Sequence, residues 1–169
     1  GYAVVMIDIK DEYVEKGLGT IQFSLGKLVS KERMTQADAD AALARIKTGT
    51  ERSMCADCDL VVEAVPEVLS LKQDIFIELD SICKPETILA SNTSSISITT
   101  IAASTQRPEK VIGMHFMNPV PIMKLVEIIN GADTSEATNT AVVEAAEKMG
   151  KTALSCNDAP GFVSNRILC

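Results

Sequence analysis

Two hydrophobic rhythms alternate along this chain: short continuous apolar runs, and longer stretches in which apolar residues recur every three or four positions. Ala3–Ile7 is the first run, closed by Asp8, and it predicts a strand buried on both faces. Asp11 then offers a cap for a long helix whose apolar face is Val14, Leu18, Ile21, Leu25 and Leu28. Gly17, Gly19 and Gly26 weaken that helix intrinsically, so packing has to hold it. Thr35 with Asp38 predicts the start of a second helix running through Ile46, and Lys47–Thr50 a short strand or turn.

Leu60–Val65 predicts the next buried strand, followed by a helix from about Ser70 to Ile82 with Leu71, Ile75, Leu79 and Ile82 on one face. Thr87–Ala90 reads as a strand, Ile96–Ala103 as a short helix and Val111–Phe116 as a strand. Pro119 and Pro121 interrupt the chain before the apolar run Leu125–Ile129. Ser135–Met149 reads as a helix stopped by Gly150, and Thr152–Ser155 as a last strand. Strands alternating with helices imply βαβ units, hence an α/β domain with a Rossmann-type, doubly wound and mostly parallel sheet.

Composition changes this picture little. At 169 residues the chain is long enough for one well-buried domain. A net charge of −7 argues against a nucleic-acid partner, which needs clustered basic surface. No apolar run reaches the ~18 residues of a membrane span, so no membrane partner is expected. The odd count of five cysteines fits a reducing compartment rather than a disulfide framework. Cys55 and Cys58 have CxxC spacing, but a second ligand pair is missing, and two incidental thiols explain them better than a metal site or a redox pair. No metal is expected.

The chemistry concentrates in two places. One is the polar run Ser91-Asn92-Thr93-Ser94-Ser95 after a strand, which is either a capping turn or a set of donors for a substrate oxygen. The other is His115, the only histidine, placed at the carboxyl end of a strand where α/β sheets gather ligands. If Val111–Phe116 and Lys124–Ile129 fold back on one another around Pro121, Glu127 falls opposite His115. A carboxylate against an imidazole fixes its tautomer and favours imidazolium as a proton arrives. Glu127 is otherwise hard to explain in an apolar strand. Asp8, at the end of the first strand, is either a surface acid or the acid that binds ribose hydroxyls in a dinucleotide fold.

Asp59–Val65, Ala90–Ser95, His115–Pro121, Lys124–Glu127 and Pro160–Arg166, in that order and spacing, resemble the 3-hydroxyacyl-CoA dehydrogenase family over essentially the whole chain. The resemblance implies NAD as cofactor and an acyl-CoA substrate, with reversible oxidation of an L-3-hydroxyacyl-CoA, short-chain in type, to the 3-ketoacyl-CoA. It implies His115 as general base with Glu127 its paired carboxylate, Ser94 bonding the substrate's 3-oxygen and Asn165 helping to place the substrate. Asn118 would lie beside substrate and nicotinamide, Asp8 on the adenosine ribose, and Glu67 and Lys72 along the cofactor. Ser24 and Lys31 match positions where the family meets coenzyme A, although a solvated lysine reads equally well at Lys31.

The family's Gly-rich loop has no counterpart here, since ~20 residues before Asp8 run off the chain. The expected organisation is therefore an NAD-binding domain over residues 1–158, without its first strand and loop, and the beginning of a helical substrate and dimerisation domain over 159–169. The piece alone is expected to be inactive, and the whole protein a homodimer. A bacterial-type cytoplasmic location is expected, with the mitochondrial matrix as the alternative. Two other readings stay open: the dehydrogenase region of a multifunctional fatty-acid oxidation protein, and a non-catalytic relative of the lambda-crystallin kind.

Overall fold

Val4–Ile7 (β1) pairs in parallel with Ile46–Gly49 (β2), Val4 opposite Ile46 and Ile7 opposite Gly49. The computed structural model that shows this describes residues 1–168, and Cys169 lies outside them. The chain divides into two compact units, Gly1–Cys55 and Ala56–Cys169. The first holds the β1–β2 sheet with two helices, Asp11–Ser30 (α1) and Gln36–Leu43 (α2).

The first unit corrects the sequence reading at three points, the first being that β1, expected buried on both faces, is exposed at Val4 and only half-buried from Val5 to Ile7. The residue that caps α1 is Lys10, without a side-chain bond, and Asp11 is a first-turn acid that suits the positive end of the helix instead. The second helix ends at Leu43, not Ile46, because Ile46 starts β2 and its β-branched side chain belongs to that strand. Thr35 does cap α2 as expected: its hydroxyl accepts from the Asp38 N–H at 3.1 Å and donates to the Asp38 carboxylate at 2.7 Å.

The second unit is a five-stranded sheet in sequential order, Leu60–Glu63 (β3), Ile88–Ser91 (β4), Val111–Phe116 (β5), Leu125–Asn130 (β6) and Thr152–Asn157 (β7). All neighbours are parallel except β5 and β6, which are antiparallel. Leu69–Ile82 (α3), Ile98–Ala102 (α4), Glu136–Lys148 (α5) and Ser164–Leu168 (α6) complete it. Alternation along β5 and β6 sorts their side chains onto two faces. Ile112, Met114, Val126 and Ile128 bury against Val142 and Ala146 of α5. Gly113, His115, Glu127 and Ile129 occupy the other face, where α4 lies. Gly113 lets α4 come that close, since a Cβ there would sit 2.8 Å from Ile129 and 3.0 Å from Ile98.

Several boundaries and one face differ from expectation; α4 starts at Ile98 rather than Ile96, behind the Ser97 cap. β3 stops at Glu63, β4 includes Ser91, and β7 continues to Asn157. On α3 the inward residues are Lys72, Ile75, Phe76 and Leu79, while Leu71 is exposed. The predicted stripe is rotated because a lysine, read as polar, is fully buried.

Candidate functional site

β5 and β6 run antiparallel in the register that sets His115 directly opposite Glu127. The carboxylate is fully buried, and its Oε2 lies 2.8 Å from His115 Nδ1. Oε1 accepts from the main-chain N–H groups of Val163, at 3.1 Å, and Ser164, at 2.7 Å. Burial pushes the Glu127 carboxyl up, but the bonds from His115, Ser164 and Val163 outweigh it and leave it below the usual range. The carboxylate is therefore ionised and accepts from Nδ1–H. That assigns the neutral imidazole a free lone pair on Nε2, which has no partner among the described residues. Phe162 packs edge-on against the ring, centroids 6.0 Å apart.

The polar run after β4 is mostly engaged within the protein. Ser91 is buried and donates to Glu63 Oε2 at 2.6 Å. Asn92 Oδ1 accepts from the Phe116 N–H at 2.8 Å, tying the loop to the end of β5. Glu67 Oε1 accepts from Thr93 Oγ1 at 2.5 Å, Ser94 N at 2.9 Å, Ser95 N at 3.1 Å and Ser95 Oγ at 3.2 Å. Burial raises Glu67, yet these donors and Lys72 lower it on balance. Ser94 is exposed, and its hydroxyl makes no hydrogen bond among the described residues. Its carbonyl accepts from Asn165 Nδ2 at 2.9 Å, so the structure brings Ser94 and Asn165 together.

Lys72 is buried completely. Its ammonium donates to Glu63 Oε1 at 2.7 Å and to the Val65 carbonyl at 3.2 Å, with Glu67 Oε2 at 3.5 Å. Asn118 is exposed at a cis Asn118–Pro119 bond after β5. In the first unit Asp8 stands exposed just past β1, its Oδ1 accepting from the Ile9 N–H at 2.7 Å. Ser24, half-buried on α1, donates to the Thr20 carbonyl at 2.9 Å, and Lys31 is exposed at the end of that helix.

Lys72, expected along the cofactor, is instead buried among Glu63, Val65 and Glu67; sequence reasoning missed that set with Ser91, the acceptor role of Asn92, the Val163 and Ser164 donors, and Phe162. Glu63 carried the same kind of signal as Glu127, a carboxylate in an apolar strand. Among the described residues, no group of three or more His, Cys, Asp or Glu is placed to hold a metal ion. No described helix is long and apolar enough to cross a membrane.

Residues 1–159 match the family model of the 3-hydroxyacyl-CoA dehydrogenase NAD-binding domain. A probable 3-hydroxybutyryl-CoA dehydrogenase of Deinococcus radiodurans is 56% identical over 168 residues, covering 99% of this chain and 60% of that protein. A fatty acid oxidation complex subunit alpha of Psychrobacter arcticus is 43% identical over 168 residues, 99% of this chain but 23% of its own length. The crystal structure of (S)-3-hydroxybutyryl-CoA dehydrogenase from Ralstonia eutropha superimposes with a TM-score of 0.95 at 48% identity, over 98% of this chain and 58% of that one. The chain thus spans about 60% of the length of the short dehydrogenases it matches. The fold is the Rossmann-like one of these structures.

Proposed function

We propose, because this chain belongs to the 3-hydroxyacyl-CoA dehydrogenase family, that the protein carrying it oxidises an L-3-hydroxyacyl-CoA to the 3-ketoacyl-CoA with NAD, reversibly, and prefers short chains such as 3-hydroxybutyryl-CoA. The observation that carries the reading is the doubly anchored Glu127. Main-chain donors hold one oxygen, so the other faces Nδ1 and leaves Nε2 as the base. The 3-hydroxyl proton passes to Nε2, and Glu127 stabilises the imidazolium that results. Ser94, exposed and with an uncommitted hydroxyl, is suited to donate to the 3-oxygen, while Asn165 holds the Ser94 carbonyl and helps to place the substrate.

NAD, when bound, supplies the acceptor for the hydride that leaves C3. The residues fit it in one respect that can be checked. Asp8 follows a parallel strand with its carboxylate exposed, and Oδ2 has no partner among the described residues, so it can accept from ribose hydroxyls. Asn118 and Glu67 are the further candidates for contact, and Ser24 and Lys31 those for coenzyme A. Homodimeric assembly and a cytoplasmic location belong to the same reading; the family resemblance supports the first, and the odd count of cysteines supports a reducing compartment, which the mitochondrial matrix also provides. Likeness to the alpha subunit of a fatty acid oxidation complex favours a second reading, in which the same site serves within a longer multifunctional chain.

The test is turnover by the purified whole protein, with 3-hydroxybutyryl-CoA and longer homologues, followed as NADH formation. Oxidation of the short substrate at ordinary enzymatic rates is expected. No turnover of any 3-hydroxyacyl-CoA in either direction would overturn the proposal, and the gene's full length separates its two forms.

A further inference from the structure

We infer that Asp158 is a positioning residue for this site: it clamps the start of the segment carrying Phe162–Asn165 onto the start of α4, and so sets where Asn165 and the Glu127 donors lie. The inference rests on the reaction proposed above, in which those groups act. Asp158 follows β7, and its N–H donates to the Asn130 carbonyl at 2.9 Å. Its Oδ2 accepts three bonds from the other segment: Ser97 Oγ at 2.6 Å, Thr99 N at 2.9 Å and Thr99 Oγ1 at 2.7 Å. Ser97 is itself the N-cap of α4, accepting from the Thr100 N–H at 3.2 Å.

These bonds close a ring. Ser94–Ser97 and Asp158–Asn165 are joined at one end by the Asp158 clamp and at the other by Asn165 Nδ2 on the Ser94 carbonyl. Within that ring Gly161 and Phe162 both take positive φ, 77° and 47°. The left-handed conformation is costly for a phenylalanine and persists only when its surroundings fix both flanks. On the far side the fixing is visible, through Val163 and Ser164 on Glu127. On the near side Asp158 supplies it. Without the clamp the segment keeps its distal bonds but loses the restraint that aims them, because a longer free loop closes onto Glu127 with more entropy to lose.

Asp158→Ala and Asp158→Asn in the whole protein test this, with Ser97→Ala and the double variants completing a cycle. In folded Asp158→Ala, kcat/KM for 3-hydroxybutyryl-CoA is expected to fall by about 10-fold to 100-fold, the scale of an ångström-sized misplacement. Asp158→Asn, which keeps an acceptor oxygen, should restore much of the loss. The Asp158 and Ser97 effects should be strongly non-additive, as for residues in direct contact. Amide hydrogen exchange at Val163 and Ser164 should accelerate in Asp158→Ala and, less, in Asp158→Asn. Unchanged exchange at these amides, or penalties at Asp158 and Ser97 that simply add, would overturn the inference. Should Asp158→Ala not fold, exchange in Asp158→Asn and Ser97→Ala decides alone. Should the wild-type protein turn over no 3-hydroxyacyl-CoA, the reaction fails, while the exchange result still settles the clamp.

Discussion

Glu127 with His115 and Glu63 with Lys72 are built alike, yet only one pair can do chemistry. Both carboxylates are buried, both meet a basic side chain at short distance, 2.8 Å and 2.7 Å, and both accept from main-chain N–H groups. The difference lies in what is left over. Lys72 has three N–H protons and three oxygen neighbours, on Glu63, Val65 and Glu67, so nothing remains for a ligand. His115 has one nitrogen on Glu127 and a second without a partner among the described residues. A saturated buried ion pair is scaffolding. A buried carboxylate–imidazole pair with a spare nitrogen can take up a proton and pass it on.

The largest effect follows from removing the spare nitrogen. His115→Gln in the whole protein should lower kcat by about 10²–10⁴-fold, the usual worth of a general base, with NAD affinity nearly unchanged. Near wild-type kcat in that variant would remove His115 from the mechanism. Glu127→Gln sharpens the comparison by a different route. Val163 and Ser164 still require an acceptor, so the amide oxygen turns to them and the amide NH₂ faces Nδ1. Nδ1 must then be the bare nitrogen and Nε2 the protonated one, the wrong tautomer for a base. The loss of kcat should approach that of His115→Gln, and an active Glu127→Gln enzyme would show that the anchoring does not select the tautomer.

The scaffolding pair should fail differently. Lys72→Met leaves Glu63 buried with only Ser91 and the Val65 N–H as donors. Breaking such a pair from one side costs about 3–5 kcal/mol of stability, readable as a fall in urea midpoint at unchanged slope. Replacing both partners, Glu63→Gln with Lys72→Met, should recover most of that loss. A single variant as stable as the wild type would mean that the Glu63–Lys72 pair contributes nothing to the fold.

Much of this was legible in the sequence, and what escaped did so for physical reasons. The five strands of the second unit and the His115–Glu127 pairing follow from apolar runs, two-residue alternation and proline breaks, all local signals. Lys72 escaped because periodicity treats a lysine as polar, so the expected stripe of α3 takes in the exposed Leu71 in place of Lys72. The polar run 91–95 was legible as a loop but not in its division of labour. Whether a serine meets a buried Glu63, as Ser91 does, or stays exposed, as Ser94 does, depends on which strand lies alongside. Asp158 gave no sign, since its partners Ser97 and Thr99 lie 61 and 59 residues away.

The smallest effect concerns Glu67, which meets Lys72 on one side and holds the Ser94 loop on the other. Its carboxyl is lowered on balance: burial opposes the charge, but the Thr93, Ser94 and Ser95 bonds and Lys72 prevail. A carboxyl depressed by folding contributes stability that is complete above its unfolded value, about 4.3. That contribution is lost as pH falls from there through the lower folded value. Glu127 and Asp158 are depressed in the same sense and act in the same window. The whole protein should therefore hold its stability down to about pH 5 and lose it progressively below. Glu67→Gln should flatten that acid limb slightly, because the Glu67 side chain is 37% exposed and solvent screens its interactions. Urea midpoints compared at pH 7 and pH 4 measure it: a smaller drop in Glu67→Gln than in wild type is expected. An equal drop would mean that the loop donors hold the neutral side chain as well as the charged one, and that Ser94 is positioned by geometry rather than by charge.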